Sequence, residues 1–197
     1  MLYDARFRGF NAHPRLEGTH AVLSPSSPQW LRYPREKLIE RLGSLGAAAR
    51  GTKYHSVAAL NIEMKMKLLE CDECPIIVPY VNDCIDFGMK PEQMLFYSLN
   101  CYGTADAISF DDSEMFLRIH DLKTGVTKAS VDQLYVYAGI FCNEYGYTPF
   151  QIHGEFRIYQ GLQVTSYEMD RLYLAFVYDM IRTSDEIVEE YRQGGLL

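Results

Sequence analysis

The chain has 197 residues, of which 48% are hydrophobic, 23% charged and 13% aromatic. That balance excludes a disordered polyelectrolyte and suits a globular chain long enough to bury a sizeable core. A formal net charge of −7 excludes a protein that coats nucleic acid through a bulk positive field, because phosphate binding draws its affinity from Lys and Arg. Any contact with nucleic acid must then be local, or carried by a cation that reverses the sign of an acidic cleft.

The five cysteines, Cys71, Cys74, Cys84, Cys101 and Cys142, are odd in number and lie in a chain large enough to fold without disulfides, which points to reduced thiols. Cys71-x-x-Cys74 has no second pair to complete a structural zinc site. The N-terminus lacks the basic, apolar and small-residue order of a signal peptide, and no apolar run approaches the ~20 residues that span a bilayer. The expectation is a cytoplasmic protein without membrane contact. With no repeat and no Gly/Ser linker, a single domain is expected over 23–197, behind an irregular arm over 1–22 that Gly9, Pro14 and Gly18 interrupt.

In chain order, Ser24-Pro25-Ser26-Ser27-Pro28 predicts the start of a short helix carrying Trp30 and Leu31, ended by Pro34. Leu38, Ile39, Leu42 and Leu45 keep helical spacing. A second helix is expected from about Thr52 to Glu70, and a third, punctuated by Pro75 and Pro79, runs to Phe87, where Gly88 closes it. The pattern then changes to strands over 93–99, 103–110 and 114–122, with Asp111-Asp112-Ser113 as a turn. A helix over 130–144, a strand over 151–160 and a long helix from Ser166 to Tyr191 follow, the last with Leu172, Phe176, Val177, Met180 and Ile181 facing inward. The order is several helices and then βββαβα, an α/β fold.

Two short segments carry chemistry: Gly103-Thr104-Ala105-Asp106 and Asp121-Leu122-Lys123, on strands joined by a tight turn. Side chains alternate along a strand, so Asp121 and Lys123 point the same way, and the hairpin folds Asp106 back to about the level of Asp121. Two adjacent carboxylates repel unless a cation joins them, and Mg²⁺ favours such oxygen ligands together with substrate phosphate. A bound ion would polarise a phosphodiester and acidify a water, with Lys123 orienting that water or stabilising developing charge.

Gly103-x-x-Asp106, Asp121-x-Lys123 followed by Thr124-Gly125, Gln133-x-x-x-Tyr137 and the upstream Gly51-x-x-x-His55 resemble the consecutive motifs of RecB-like nucleases of the PD-(D/E)XK superfamily. The resemblance implies a restriction-endonuclease-like core, αβββαβα, with a central mixed sheet flanked by helices and extra N-terminal helices. It implies a Mg²⁺ or Mn²⁺ ion on His55, Asp106, Asp121 and the backbone carbonyl of Leu122, with Asp106, Asp121 and Lys123 catalytic. Gln133 and Tyr137 would lie close to DNA, and residues four apart do share a helix face. Glu63, eight residues after His55 and thus roughly on its face of the helix, is a reserve acidic ligand.

The opening Leu23-Ser24-Pro25-Ser26-Ser27 is also similar to the family's start, where a Cys-Pro often helps to hold an iron–sulfur cluster. Here Tyr33-Pro34 stands in its place and only Cys142 follows Tyr137, so no iron–sulfur cluster is expected. The implied function is an exonuclease acting on DNA ends in phage or bacterial recombination or DNA processing. A recombination or annealing protein and further copies of the chain are the implied partners. A structure-selective or restriction-like endonuclease, and a non-catalytic DNA-binding or partner-binding protein of the same fold, are the alternatives.

Overall fold

The computed structural model describes residues 9–19, 21–42, 53–124 and 129–194. A 3₁₀ turn, Pro28–Arg32, precedes three helices, α1 (Arg35–Leu42), α2 (Lys53–Glu63) and α3 (Ile77–Asp86). Strands β1 (Lys90–Ser98), β2 (Cys101–Asp111) and β3 (Phe116–Lys123) come next, then helix α4 (Asp132–Tyr145), strands β4 (His153–Gln160) and β5 (Gln163–Glu168), and helix α5 (Arg171–Gln193). The five strands form one sheet in the order β1-β2-β3-β4-β5. All neighbours are antiparallel except β3 and β4, which run parallel in an unbroken register from Phe116–His153 to Lys123–Gln160. A parallel neighbour needs a long crossover, and α4 supplies it. The molecule is thus an α/β protein with a mixed sheet flanked by helices.

Two buried clusters occupy the two faces. The larger gathers Trp30, Leu95, Ile108, Ile119, Phe141, Phe156, Val177 and Ile181, beneath α4, α5 and the 3₁₀ turn. The smaller gathers Ala58, Ile77, Tyr80, Val81, Ala107, Leu122 and Tyr159, beneath α2 and α3. Helix α4 is buried from Asp132 through Cys142, because the sheet covers one side of it and α5 the other. A helix so placed lacks the one-sided apolar stripe of a surface helix.

Three differences from the sequence expectation have physical causes. Helix α2 stops at Glu63 rather than near Glu70. Lys65 adopts a left-handed φ of 54°, and the amides of Lys65 and Met66 donate to the carbonyls of Ile62 and Asn61 at 3.1 and 2.9 Å, a Schellman closure without the usual glycine. Strand β5 occupies residues assigned to loop and helix: it is a solvent-facing edge strand, mostly polar and exposed, so it shows no apolar alternation. Helix α5 therefore begins at Arg171, where the carboxylate of Asp170 accepts from the amides of Leu172 and Tyr173 at 2.8 and 3.2 Å. Its buried face is Leu174, Val177, Ile181, Ser184 and Val188; Leu172 and Phe176, expected inward, are exposed.

Leu45 and Gly51, and Gly125 after Lys123, lie outside the described residues. Among the described residues no helix is long and apolar enough to cross a membrane.

Backbone crowding in the parallel ladder offers a test. Leu117 and Gly154 are partners, and a Cβ on Gly154 would stand 1.9 Å from the Leu117 carbonyl oxygen. Gly154→Ala must spread β3 from β4, and a loss of about 3 kcal/mol in unfolding free energy, measured by urea denaturation, is the expected outcome. A loss under about 0.5 kcal/mol would show that the ladder yields easily at that point.

Candidate metal centre

Strands β2 and β3 pair from Asp111–Phe116 as far as Ala107–His120 and no further. Beyond that pair β2 continues beside β1, to Cys101–Ser98, while β3 continues beside β4, to Lys123–Gln160. The sheet therefore forks at Asp106 and Asp121, the next residues along each strand. Ala105 belongs to the cluster under α4 and Ala107, two residues on, to the cluster under α2 and α3. Regular alternation would put both on one face, so it breaks at Asp106. Freed from a normal ladder, the Asp106 side chain takes over a backbone role: its Oδ2 accepts from the Leu122 amide at 2.8 Å. Leu122, whose carbonyl is the expected ligand, also meets the site through this N–H.

His55 and Asp106 come together. The Nδ1 atom of His55, on the first turns of α2, is 3.3 Å from Oδ1 of Asp106. Burial opposes charge on the imidazole, yet the contact with Asp106 and the nearby carboxylates outweigh it and hold the His55 pKa above its ordinary value.

Asp121 and Lys123 also come together, as strand alternation predicts: Lys123 Nζ donates to Asp121 Oδ1 at 2.9 Å. The same ammonium donates to Gln133 Oε1 on α4 at 2.9 Å. The Asp121 side chain is only 3% exposed. Burial, and then the charge of Asp106, raise its pKa, while Lys123 works in the opposite direction.

The two helix α4 residues, Gln133 and Tyr137, both turn toward the strands. Tyr137 is buried, and its hydroxyl donates to the Thr104 carbonyl of β2, with Gln133 as a second polar neighbour. It ties α4 to the strand carrying Asp106. Gln133, also buried, fixes the Lys123 ammonium. The motif's glycine has a steric reason too: a Cβ at Gly103 would lie 2.7 Å from Cδ of Pro25 and 3.4 Å from the Tyr137 ring. Glu63 is exposed at the last residue of α2 and joins none of these contacts.

One residue of the cluster escaped the sequence reading. Pro91 pairs with Ala107 and Gln93 with Ala105, which sets Glu92 opposite Asp106. Ligand atoms of His55, Glu92 and Asp106 all lie within 4.8 Å of one another. Glu92 sits at a left-handed φ of 46°, a costly conformation for a residue with a Cβ. Its outer side is open to solvent, but the atoms packed around its carboxyl, and then the charge of Asp106, push its pKa up to about 7. The strand was expected to start at Gln93, one residue beyond it. The strand in fact begins at Lys90 and admits Pro91, as an edge strand can, and only its pairing with β2 points to Glu92.

Beside Lys123 a cleft of about 320 Å³ opens between the 3₁₀ turn, α4 and the end of β4, with Ser26, Arg32, Ser130, Gln133 and Gln160 among its walls. Arg32 is not free there; it pairs with Asp132.

No family model and no curated protein matches the chain. Among solved structures, the crystal structure of SSO0001 aligns with 79% of this chain and 85% of its own at 14% identity, with a TM-score of 0.29, a likeness too low to carry an argument.

The charge crowding has a pH signature. The ordinary pKa of 4.5 for Glu92 rises to about 7 in the folded chain, so the folded state holds a proton that the unfolded state has released. Its contribution to stability is complete below the ordinary value and is lost as pH climbs through 7. In EDTA, the thermal midpoint of the protein is expected to decline between about pH 5 and 7.5, and Glu92→Gln to flatten that decline. Parallel curves for the two proteins would assign the decline to another group.

Proposed function

We propose that this protein is a Mg²⁺- or Mn²⁺-dependent deoxyribonuclease, an exonuclease that hydrolyses phosphodiester bonds at DNA ends, with Asp106, Asp121 and Lys123 at its reaction centre. The observation that carries the reading is the convergence, at the fork of β2 and β3, of two carboxylates, an ammonium and an imidazole: Lys123 Nζ on Asp121 at 2.9 Å and His55 on Asp106 at 3.3 Å. The order α3-β1-β2-β3-α4-β4-β5-α5 supports a restriction-endonuclease-like core, as αβββαβα with one added edge strand.

The donor types fit a hard divalent cation: a carboxylate oxygen of Asp106 with the imidazole of His55, 3.3 Å apart, and the Asp121 carboxylate beside them as a further acidic group, in a centre whose carboxylates outnumber its ammonium groups. When bound, the ion supplies Lewis acidity to the scissile phosphate and lowers the pKa of a bound water. The chain's own residues do the rest. Asp121 holds Lys123 at the inner rim of the cleft, and Gln133 fixes the ammonium from the other side. Held by two acceptors, Lys123 keeps a third N–H to orient the attacking water or to meet charge developing on the phosphate. Asp106, oriented by the Leu122 amide, turns its second oxygen toward His55.

The test is a cleavage assay with purified protein, Mg²⁺ or Mn²⁺, and linear DNA end-labelled at either terminus beside a covalently closed circle. Digestion from the ends of linear DNA with the circle spared is expected. Cutting of the circle would make the protein an endonuclease, and no cleavage of either substrate would leave a non-catalytic DNA-binding or partner-binding protein. Lys123→Ala should lower the rate by about 10²–10³-fold; an undiminished rate removes Lys123 from the reaction centre.

Gln133→Ala should cost less, roughly tenfold in kcat with KM little changed, because it loosens Lys123 without removing it. A change confined to KM would make Gln133 a contact to DNA instead.

A further inference from the structure

We propose that Glu92 is a ligand of the divalent cation, so that the ion is gripped by β1 as well as by α2 and β2. The set is one imidazole nitrogen of His55 and one carboxylate oxygen each from Glu92 and Asp106. This rests on the metal-dependent reading above and adds to it a ligand that none of the sequence motifs contains.

Geometry is the first argument. Oxygen ligands of Mg²⁺ stand about 2.0–2.1 Å from the ion, so two of them on opposite sides are at most about 4.2 Å apart. Ligand atoms of His55, Glu92 and Asp106 already fall within 4.8 Å of one another. The difference is a few tenths of an ångström, and Glu92 has its outer side open to solvent.

Partnership is the second argument. Among the described residues Glu92 makes no hydrogen bond or ion pair, whereas Asp121 has Lys123 on its Oδ1 and is nearly sealed from solvent. The pairing register holds Glu92 against Asp106, which is unfavourable for two carboxylates without a cation between them. Glu63, the other acidic candidate, is at the far end of α2 and outside the triplet.

The donor types also select among cations. Three protein atoms leave positions open for water and for a phosphate oxygen, as a catalytic ion requires. Mg²⁺ favours oxygen ligands and retains its waters, while imidazole suits the transition ions. Mn²⁺ is therefore expected to bind this set more tightly than Mg²⁺.

The experiment is a calorimetric titration of Mn²⁺ into the full chain without DNA, with the free Mn²⁺ signal followed by electron paramagnetic resonance. The wild type, Glu92→Gln, Glu92→Asp and Glu63→Gln are compared, each with its melting curve in EDTA and in Mn²⁺. Glu92→Gln is expected to weaken Mn²⁺ binding by roughly tenfold or more and to shrink the rise in Tm that Mn²⁺ produces. Its melting point in EDTA should equal or exceed that of the wild type. Should the Gln variant not fold, Glu92→Asp, which keeps the charge and shortens the reach, carries the test through its own loss of affinity.

Wild-type affinity in the Glu92 variants overturns the proposal, as does weakening in Glu63→Gln alone. A wild type that binds no Mn²⁺ overturns both this proposal and the metal-dependent reading. The two readings separate by cleavage: Mn²⁺ held through Glu92 in a chain that cuts no DNA would keep the ligand and discard the nuclease, and a nuclease indifferent to Glu92 would do the reverse.

Discussion

The fork between β2 and β3 is the constraint on which the rest of the centre depends. While the two strands are laddered, from Asp111–Phe116 to Ala107–His120, their backbone groups satisfy one another and their side chains belong to the two cores. Past the fork, the Leu122 amide faces a strand that has turned away, and a buried amide without an acceptor is costly. Asp106 meets that need with its carboxylate at 2.8 Å. The same hydrogen bond that repairs the sheet therefore fixes one acidic side chain in the gap, with Oδ2 committed to backbone and Oδ1 turned toward α2. Parallel pairing of β3 with β4 through Lys123–Gln160 keeps β3 straight enough for Asp121 and Lys123 to remain on the far side of that gap.

Because the gap cuts through the sheet, side chains from both helical layers reach it. His55 arrives from α2, on one face, and Gln133 from α4, on the other; an unbroken sheet would keep the two apart. Tyr137 secures the arrangement from within, its hydroxyl on the Thr104 carbonyl two residues before Asp106. Gln133 and Tyr137, one helical turn apart, thus act on Lys123 and on β2 as supports whose rotamers are locked by packing, which is how a site on regular elements acquires a defined geometry.

Electrostatically the centre is divided. The inner half, Asp121 with Lys123 and Gln133, is nearly closed to solvent and internally paired. The outer half, Asp106 with His55 and Glu92, is more open and rich in negative charge: the carboxylates outweigh burial to raise the His55 pKa, and burial followed by the charge of Asp106 raises that of Glu92.

Period and punctuation in the amino-acid sequence were enough for the α/β class, for the three consecutive strands, for α4 and for the proximity of Asp121 to Lys123, since each follows from local rules: alternation along a strand, 3.6 residues per helical turn, and an Asp-rich turn that closes β2 on β3. The Asp106 assignment rested on the same hairpin. Other features depended on contacts made far along the chain. The inward face of α5 was displaced because a polar edge strand, β5, has no apolar period to announce it. The close of α2 was hidden because Lys65, not glycine, takes the left-handed position. Burial of Gln133 and Tyr137 is decided by where α4 docks on the sheet, against Lys123 and Thr104, and the sequence of α4 does not contain that information. Glu92 is the clearest case: it lies one residue before the expected start of the strand, and only the pairing of β1 with β2, residue against residue, sets it opposite Asp106.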